Sequence, residues 1–446
     1  MNDKKLRVAV IGAGIGGLTF ALSLHKTGAD VEVNIYESAS KFTEIGAGIG
    51  IWPRVWEIIK SLGLEDDLLP IAGNAGMQRP AGFIYRKSNQ HAGVPLYEAD
   101  SDFGVLTFHR AELQQALIKH LPPSYSVHFH KRLSDYVEPE SGPILLKFED
   151  STTATCDIVI GCDGIKSNVR ATMYRSFAAE AQQAGDDVKA TTLRAHADPI
   201  WLGTIAYRGL IPRVVLETVQ KNHRAIHTPT MYLGKYKYLV VYPVSRGQEI
   251  NVVVFVSKPE LEGTTYEGPW VSCATSDEVL QAFAEWEPEV KTLLTCLNHP
   301  SRWAINVATS LPTYVRGRVA ILGDAAHAMA PHLGSGAGQA IEVGWPHPCR
   351  SSCAFGSDSR TLPLALKVYD EIRRPFSQKV QQGSKEAGML YEFINIGDDV
   401  GDENHAPSEL NFGEALERLL GWTATGSAMG DRQRALQMVA ECIRQV

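Results

Sequence analysis

The chain has 446 residues, 44% of them hydrophobic and 21% charged, with a formal net charge of −7. That length exceeds one compact core and sets an expectation of two or three domains. The acidic balance argues against a nucleic-acid partner, whose binding surfaces are basic, and no run approaches the roughly 18 apolar residues of a membrane span, so no transmembrane segment is expected.

The first predicted element is a buried strand over 7–11, and it runs into glycines at 12, 14 and 17. In this G-x-G-x-x-G spacing Gly12 permits a tight turn, Gly14 lets the backbone approach a pyrophosphate, and Gly17 lets the following helix pack on the strand. The helix N-terminus offers unpaired N–H groups and partial positive charge to that pyrophosphate. A second strand over 31–36 ends at Glu37, placed to accept hydrogen bonds from ribose hydroxyls. Strand, glycines, helix, strand and acid in register specify a dinucleotide-binding βαβ unit.

A glycine-rich stretch over 43–53, containing Gly50, lets backbone approach a flat ligand. Short β-like runs follow at 82–85 and 104–108, then an amphipathic helix over 109–120 with Arg110 in its first turn. Strands are expected near 125–130 and 144–149. A third buried strand, 157–161, ends in Cys162-Asp163-Gly164. Residues 176–198 are polar and Ala-rich, read as a helix or loop excursion. Closely spaced β runs at 202–211, 229–244 and 249–256 predict an antiparallel sheet, and an amphipathic helical pattern returns at 277–297. A fourth buried strand, 318–322, ends in Gly323-Asp324. Helical patterns cover 365–374, 376–390, 414–420 and 432–445. The seven cysteines are odd in number and scattered, without a C-x-x-C; even Cys349 and Cys353 read as free thiols, which fits a reducing compartment. A strand that starts six residues from Met1 leaves no room for a leader before it, and a cytoplasmic location is expected.

Three motifs therefore stand in order: Gly12, Gly14 and Gly17 with Glu37; Asp163-Gly164 with Ser167 and Arg170; and Gly323-Asp324-Ala-Ala-His327, continuing through Pro331 and Gly334 to Gly336-Ala337-Gly338-Gln339 and Glu342. Together with Arg110 in a His-Arg-x-x-Leu context, this combination resembles the class A FAD-dependent aromatic monooxygenases, most closely their salicylate hydroxylase-like branch, fungal members included. The resemblance runs over nearly the whole chain. It implies an α/β fold: a Rossmann-like (GR2-type) FAD-binding domain interleaved with a β-sheet substrate domain, plus C-terminal helices. The corresponding division is 1–80, 100–175 and 298–360 for the FAD-binding domain, 81–99 and 176–297 for the substrate domain, and 361–446 for the helical region.

The resemblance also implies one FAD, with NADH or NADPH as co-substrate, O2, and a small aromatic substrate that is hydroxylated through a flavin C4a-hydroperoxide. Salicylate and other hydroxybenzoates fit, with decarboxylation where the attacked carbon carries a carboxylate; a polyketide-type phenol is the alternative substrate class. Asp163 is expected near the pyrophosphate and Arg110 on the diphosphate side. Arg170 is expected to offer its fork to phosphate or to a carboxylate. Asp324 reaches a ribityl hydroxyl, while the loop that starts at Pro331 brings backbone N–H groups, with Gly336, Ala337 and Gly338 as the candidates, to the flavin pyrimidine edge, where they stabilise negative charge on reduction. Arg208 and Tyr242, on strands of the substrate sheet, match an arginine and a tyrosine that hold a phenolate in dearomatising relatives, and are the catalytic candidates; a structural role at strand ends is the alternative for each. His327 and His332 are tempting as bases, the former more in keeping with packing under the cofactor. A monomer or homodimer is expected.

One segment departs from the pattern. After Glu342, residues 343–360 carry Gly344, Pro346 and Pro348, which are incompatible with an uninterrupted helix. This predicts a weakened brace beside the flavin loop and weaker FAD retention, and it keeps open a catalytically impaired FAD-binding protein. A flavin halogenase and a disulfide reductase are disfavoured, because the chain lacks a Trp-x-Trp-x-Ile-Pro pattern and any early cysteine pair.

Overall fold

The computed structural model describes residues 5–42, 48–72, 82–99, 105–344, 361–394, 409–424 and 428–444. The cysteine pair 349/353 and the divergent stretch beyond Gly344 lie outside the described residues.

A six-stranded sheet sits at the centre of the largest apolar cluster, in the order Val315–Arg316, Val319–Ile321, Ile158–Gly161, Leu6–Ile11, Val31–Tyr36, Ser126–His128. All its pairings are parallel except that of the edge strand Val315–Arg316. Val8 through Ile11 and Ile158 through Gly161 are buried without alternation, as expected of parallel strands covered on both faces. Register decides where a ligand goes. Ile11 stands opposite both Tyr36 and Gly161, and Gly161 opposite Ile321. The four strands thus end level, and the residues after them — Gly12, Glu37, Cys162 and Leu322 — share one edge. That carboxyl edge is where open α/β sheets bind ligands.

The second layer is an eight-stranded sheet in the order Val271–Cys273, Ser301–Val307, Ile200–Pro212, Glu249–Ser257, Lys237–Val244, Thr230–Gly234, Ile84–Lys87, Val94–Glu98. A three-stranded antiparallel sheet (Leu133–Val137, Ile144–Phe148, Thr153–Cys156) and a two-stranded one (Gly48–Ile51 with Leu106–His109) complete the β structure. The short strand Gly48–Ile51 is tied to the larger sheet: Gly48 N donates to Asn251 Oδ1 at 3.2 Å.

Several elements differ from expectation. Ser301–Val307, expected with the nucleotide-binding part, pairs with Ile200–Pro212 in the eight-stranded sheet. The run 229–244 is a hairpin, turning at Lys235 and Tyr236. The pattern at 277–297 is two helices, Ser276–Ala282 and Pro288–Cys296, because Glu287 precedes a proline and is extended (ψ 150°). The excursion 176–198 is helical: Asn168–Gln183 is capped by Ser167 and Asp187–Ala195 by Asp186, each side chain accepting a backbone N–H three residues on. The tail expected as two helices split at Pro375 forms one, Thr361–Tyr391, with the proline inside it. An internal proline forfeits one ladder bond at about 3 kcal/mol; the contacts described below along this helix offset that cost.

Candidate active site

At the carboxyl edge the backbone is fixed by close approach. Gly12 has φ +102°, and a Cβ there would overlap the Cys162 carbonyl of the neighbouring strand; one on Gly17 would overlap the Gly12 carbonyl. Gly14 caps the helix Ile15–Lys26 and has open space where its Cβ would be, so the helix N-terminus faces a cavity with nothing in between. Glu37 braces this turn, accepting from Ala13 N at 2.9 Å and Ala39 N at 2.7 Å.

The cavity measures about 520 Å³ and extends from Gly14 and Gly16 along the carboxyl edge to the large sheet. Of the residues singled out from sequence, Gly14, Gly50, Arg110, Asp324, Pro331, Gly336, Ala337, Arg208 and Tyr242 line it. Asp324 opens the short helix Asp324–His327 and is open to the cavity although it lies deep in the protein. Burial pushes its carboxyl above the usual range, opposed by the Arg110 and Arg170 guanidiniums. Gly336 and Ala337 begin the helix Gly336–Gly344, so their N–H groups have no partner within the helix and meet the cavity.

Four expected contributors are absent from the lining. Glu37, expected on ribose hydroxyls, holds the amides of Ala13 and Ala39 as described above. The Asp163 carboxylate caps the helix behind the edge: it accepts from Ser167 Oγ, from Asn168 N at 2.8 Å and from Val169 N at 3.1 Å. Its neighbours Cys162 and Gly164 line the cavity in its place. Arg170 is buried and donates to the carbonyls of Ile165, Ala197 and Ala325, so its fork is taken up by backbone. Gly338 is not part of the cavity lining, and a Cβ there would lie 3.0 Å from the Val55 side chain.

Much of the remaining cavity wall is the large sheet, contributed by alternate positions as the pleat requires. Arg208, Val253 and Val240 form one cross-strand row, and Ala206, Phe255 and Tyr238 the next. Phe83, Tyr85, Met231, Trp303 and Tyr391 add apolar surface. Arg208 stands in this surface with its Nε buried and without a hydrogen-bond partner among the described residues. Its guanidinium lies 5.7 Å from the centre of the Trp303 ring. Burial lowers its pKa; the adjacent Tyr242 counters this and Arg110 adds to it. The Tyr242 phenol is pushed up to about 12 by burial, with Arg208 pulling the other way. His332 also lines the cavity, its Nδ1 hydrogen-bonded to the Tyr238 hydroxyl at 2.6 Å; burial pushes it down to about 4, so the ring is neutral. His327 is fully buried outside the cavity lining and pushed down to about 3 by burial, then by Arg373.

The FAD binding domain family matches residues 5–346. Salicylate hydroxylase of Pseudomonas putida is 37% identical over 407 residues, covering 88% of this chain and 87% of its own. This chain belongs to the FAD-dependent aromatic monooxygenases of the salicylate hydroxylase type. The 6-methylsalicylate 1-monooxygenase of Aspergillus terreus is 33% identical over 403 residues, 88% of this chain and 84% of its own. A solved salicylate hydroxylase substrate complex superposes with a TM-score of 0.80 at 32% identity, over 97% of this chain and 98% of that one.

The monooxygenase cavity suits its cofactor on the features above. A Cβ-free helix terminus at Gly14 faces one end, Asp324 is open to the middle, and the free first-turn amides of Gly336 and Ala337 face the other. No helix among the described residues is long and apolar enough to cross a membrane, and no group of metal-ligating side chains is present among them.

The flavin loop of the monooxygenase is braced by the helix Thr361–Tyr391. One polar stripe of this helix reaches successive backbone groups of the loop and the strand before it. Tyr369 Oη donates to Ile321 O at 2.8 Å, and Asp370 Oδ1 accepts from Tyr314 N at 2.7 Å. Gln381 Nε2 donates to Ala308 O at 2.6 Å and Ala328 O at 3.0 Å. Ser384 Oγ donates to Ala330 O at 2.5 Å and accepts from Leu333 N at 3.2 Å. The loop is therefore held from the C-terminal region, and the helix Gly336–Gly344 forms despite the glycine that ends it. Sequence reasoning missed this stripe, along with Tyr238, Val240 and Tyr391 in the wall. Period-two alternation from Tyr242 gives the first two; nothing local points to Tyr391.

Proposed function

We propose that this monooxygenase hydroxylates a phenol carrying an ortho carboxylate, salicylate or a close analogue, with NADH or NADPH as reductant. The observation that carries this reading is Arg208. It is a half-buried guanidinium whose Nε is buried and unpartnered among the described residues, beside a neutral tyrosine, in a largely apolar wall of the cavity that Gly336 and Ala337 also line. The related enzymes named for salicylate and 6-methylsalicylate support it.

Gly14, Asp324 and the amides of Gly336 and Ala337 would hold FAD, which when bound would supply the electrophilic oxygen from dioxygen at the expense of the nicotinamide. Arg208 holds the substrate anion and favours the phenolate, the electron-rich form that attacks. A free phenol has a pKa near 10, and a cation about 4 Å away at an effective dielectric of about 20 is worth about 4 kcal/mol at most, roughly three pKa units. Tyr242 keeps its proton at neutral pH and donates a hydrogen bond to the same oxygen, fixing the ring's orientation. The apolar wall of Met231, Val240, Phe255 and Trp303 positions the ring and excludes water from the reacting oxygen. The new C–O bond forms ortho to the phenolate. Where that carbon carries the carboxylate, CO2 leaves and the electrons of the broken C–C bond stay with the ring. Overall one substrate, one reduced nicotinamide, one O2 and two protons give one diphenol, CO2, oxidised nicotinamide and water.

A panel of phenols, each scored for nicotinamide oxidation against hydroxylated product, tests the reading. Ortho-carboxyl phenols are expected to couple the two one to one. Absence of stimulated oxidation with every phenol contradicts it.

A further inference from the structure

We propose that Asp431, on the helix Ala428–Arg444, is a positioning residue of the FAD site. It completes a buried lock of four charges that fixes the helix Gly336–Gly344, whose first-turn amides meet the cofactor.

The lock joins four helices far apart in the chain. Glu342 Oε1 accepts from Arg54 Nε at 3.0 Å and its Oε2 from Arg373 Nη2 at 2.9 Å. Asp431 Oδ2 accepts from Arg373 Nη1 at 2.7 Å and Arg54 Nη2 at 3.4 Å. Two guanidiniums and two carboxylates thus close a ring, with the Phe376 ring lying 4.5 Å from Arg54 and 5.1 Å from Arg373. Glu342 and Arg373 side chains are 0% exposed, Arg54 7% and Asp431 14%. At such burial, charge balance decides the cost: a paired ring is tolerated, whereas an extra buried cation is strongly unfavourable. Asp431 supplies one of the two negative charges, and its other oxygen, Oδ1, accepts from the exposed Arg434 Nη2 at 2.5 Å. Without it, the two buried guanidiniums face one carboxylate and Arg434 loses its partner as well.

The lock reaches the cofactor through a short rigid path. Glu342 lies six residues after Gly336 on the same helix, about 9 Å at 1.5 Å per residue. That helix has no slack elsewhere. Gly338 packs on Val55, and a Cβ on Gly344 would lie 2.8 Å from the Gly16 carbonyl of the dinucleotide helix. A shift of Glu342 therefore moves the amides of Gly336 and Ala337. Asp431 itself is no part of the cavity lining, so its influence on FAD is indirect. Coupling of this kind is reciprocal: FAD binding tightens the docking of Ala428–Arg444 by the same factor that the docked helix tightens FAD.

The test uses the full-length holoenzyme with Asp431→Asn and Asp431→Glu. FAD release is followed on dilution by the recovery of free-flavin fluorescence, and thermal midpoints are taken with and without saturating FAD. Asp431→Asn is expected to weaken FAD retention at least tenfold and to shrink the FAD-dependent rise in midpoint, while Asp431→Glu restores most of both. Arg54→Met/Asp431→Asn, which leaves the one-to-one Glu342–Arg373 pair, is expected to retain FAD better than Asp431→Asn alone, and it serves where the single variant fails to fold. Unchanged retention in Asp431→Asn overturns the proposal, as does an equal loss of stability with and without FAD, or a double variant no better than the single. None of these readouts needs a phenol, so the outcome is independent of the substrate reading.

Discussion

Replacing Arg208 by glutamine removes the cation that the substrate wall holds and keeps much of the side-chain volume. Hydrogen bonds to a charged group are worth about 1.5–3 kcal/mol, which corresponds to a roughly 10- to 150-fold weaker Kd for an anionic phenol. The second effect is on protonation. The Coulombic upper bound of about three pKa units means that the bound phenol titrates at higher pH in the variant, so the rising limb of kcat against pH moves alkaline. The assay is a salicylate titration of holoenzyme followed by flavin fluorescence, repeated between pH 6 and 9, with kcat measured on the same samples. FAD content is expected to match the parent, since Arg208 lies on the eight-stranded sheet, whereas Gly14 and Asp324 follow strands of the six-stranded one. Unchanged salicylate affinity together with an unchanged pH profile refutes the role assigned to Arg208. Loss of FAD in place of loss of salicylate makes the residue structural.

Three further outcomes follow from named side chains. Tyr242→Phe keeps the ring that packs near Gly48 and Phe83 but removes the hydroxyl; it is expected to lower kcat about tenfold or more with a small change in salicylate Kd, and equal kcat contradicts the hydrogen bond to the phenolate. Asp324→Asn keeps the shape at the strand end while removing an acceptor charge, and is expected to weaken FAD binding about tenfold with the apoprotein's thermal midpoint unchanged; parental FAD affinity excludes Asp324 from the cofactor contacts. Glu392 is buried, accepts from Ser257 Oγ at 2.7 Å, and burial raises its pKa to about 7 from an ordinary 4.5. The folded state therefore holds the proton more tightly than the unfolded chain. This contribution, about 3 kcal/mol, is fully present below pH 4.5 and is lost as pH rises through 7. Thermal midpoints from pH 5 to 8 are expected to fall less in Glu392→Gln than in the parent; parallel curves contradict the raised pKa.

The cofactor half of the site is legible in the sequence because its devices are local. The turn at Gly12, the open helix terminus at Gly14 and the strand end at Asp324 each lie within a few residues of a buried apolar run, so spacing alone places them. Arg208 and Tyr242 are legible only with the resemblance, and once one face of their strands is known, alternation adds Ala206, Val240 and Tyr238. The rest is non-local. Arg373, Gln381 and Ser384 look like ordinary exposed helix residues until the fold lays their helix along residues 308–342. Glu342 and Asp431 are neighbours only in space, 89 positions apart. Asp163 and Arg170 show the opposite failure: a motif gives the residue but not its partner, and both turn out to satisfy backbone groups behind the site. Pro375 misleads for the same reason, since the tertiary contacts of its helix outweigh one lost hydrogen bond.

The central claim is that this chain inserts one atom of molecular oxygen into a phenol. The most direct measurement is turnover with salicylate and NADH or NADPH under ¹⁸O₂, with the diphenol product analysed by mass. One ¹⁸O atom per product, one CO2 released and one nicotinamide oxidised is the predicted result. Product carrying oxygen from water, or nicotinamide oxidation that yields only hydrogen peroxide with every ortho-carboxyl phenol tried, contradicts it.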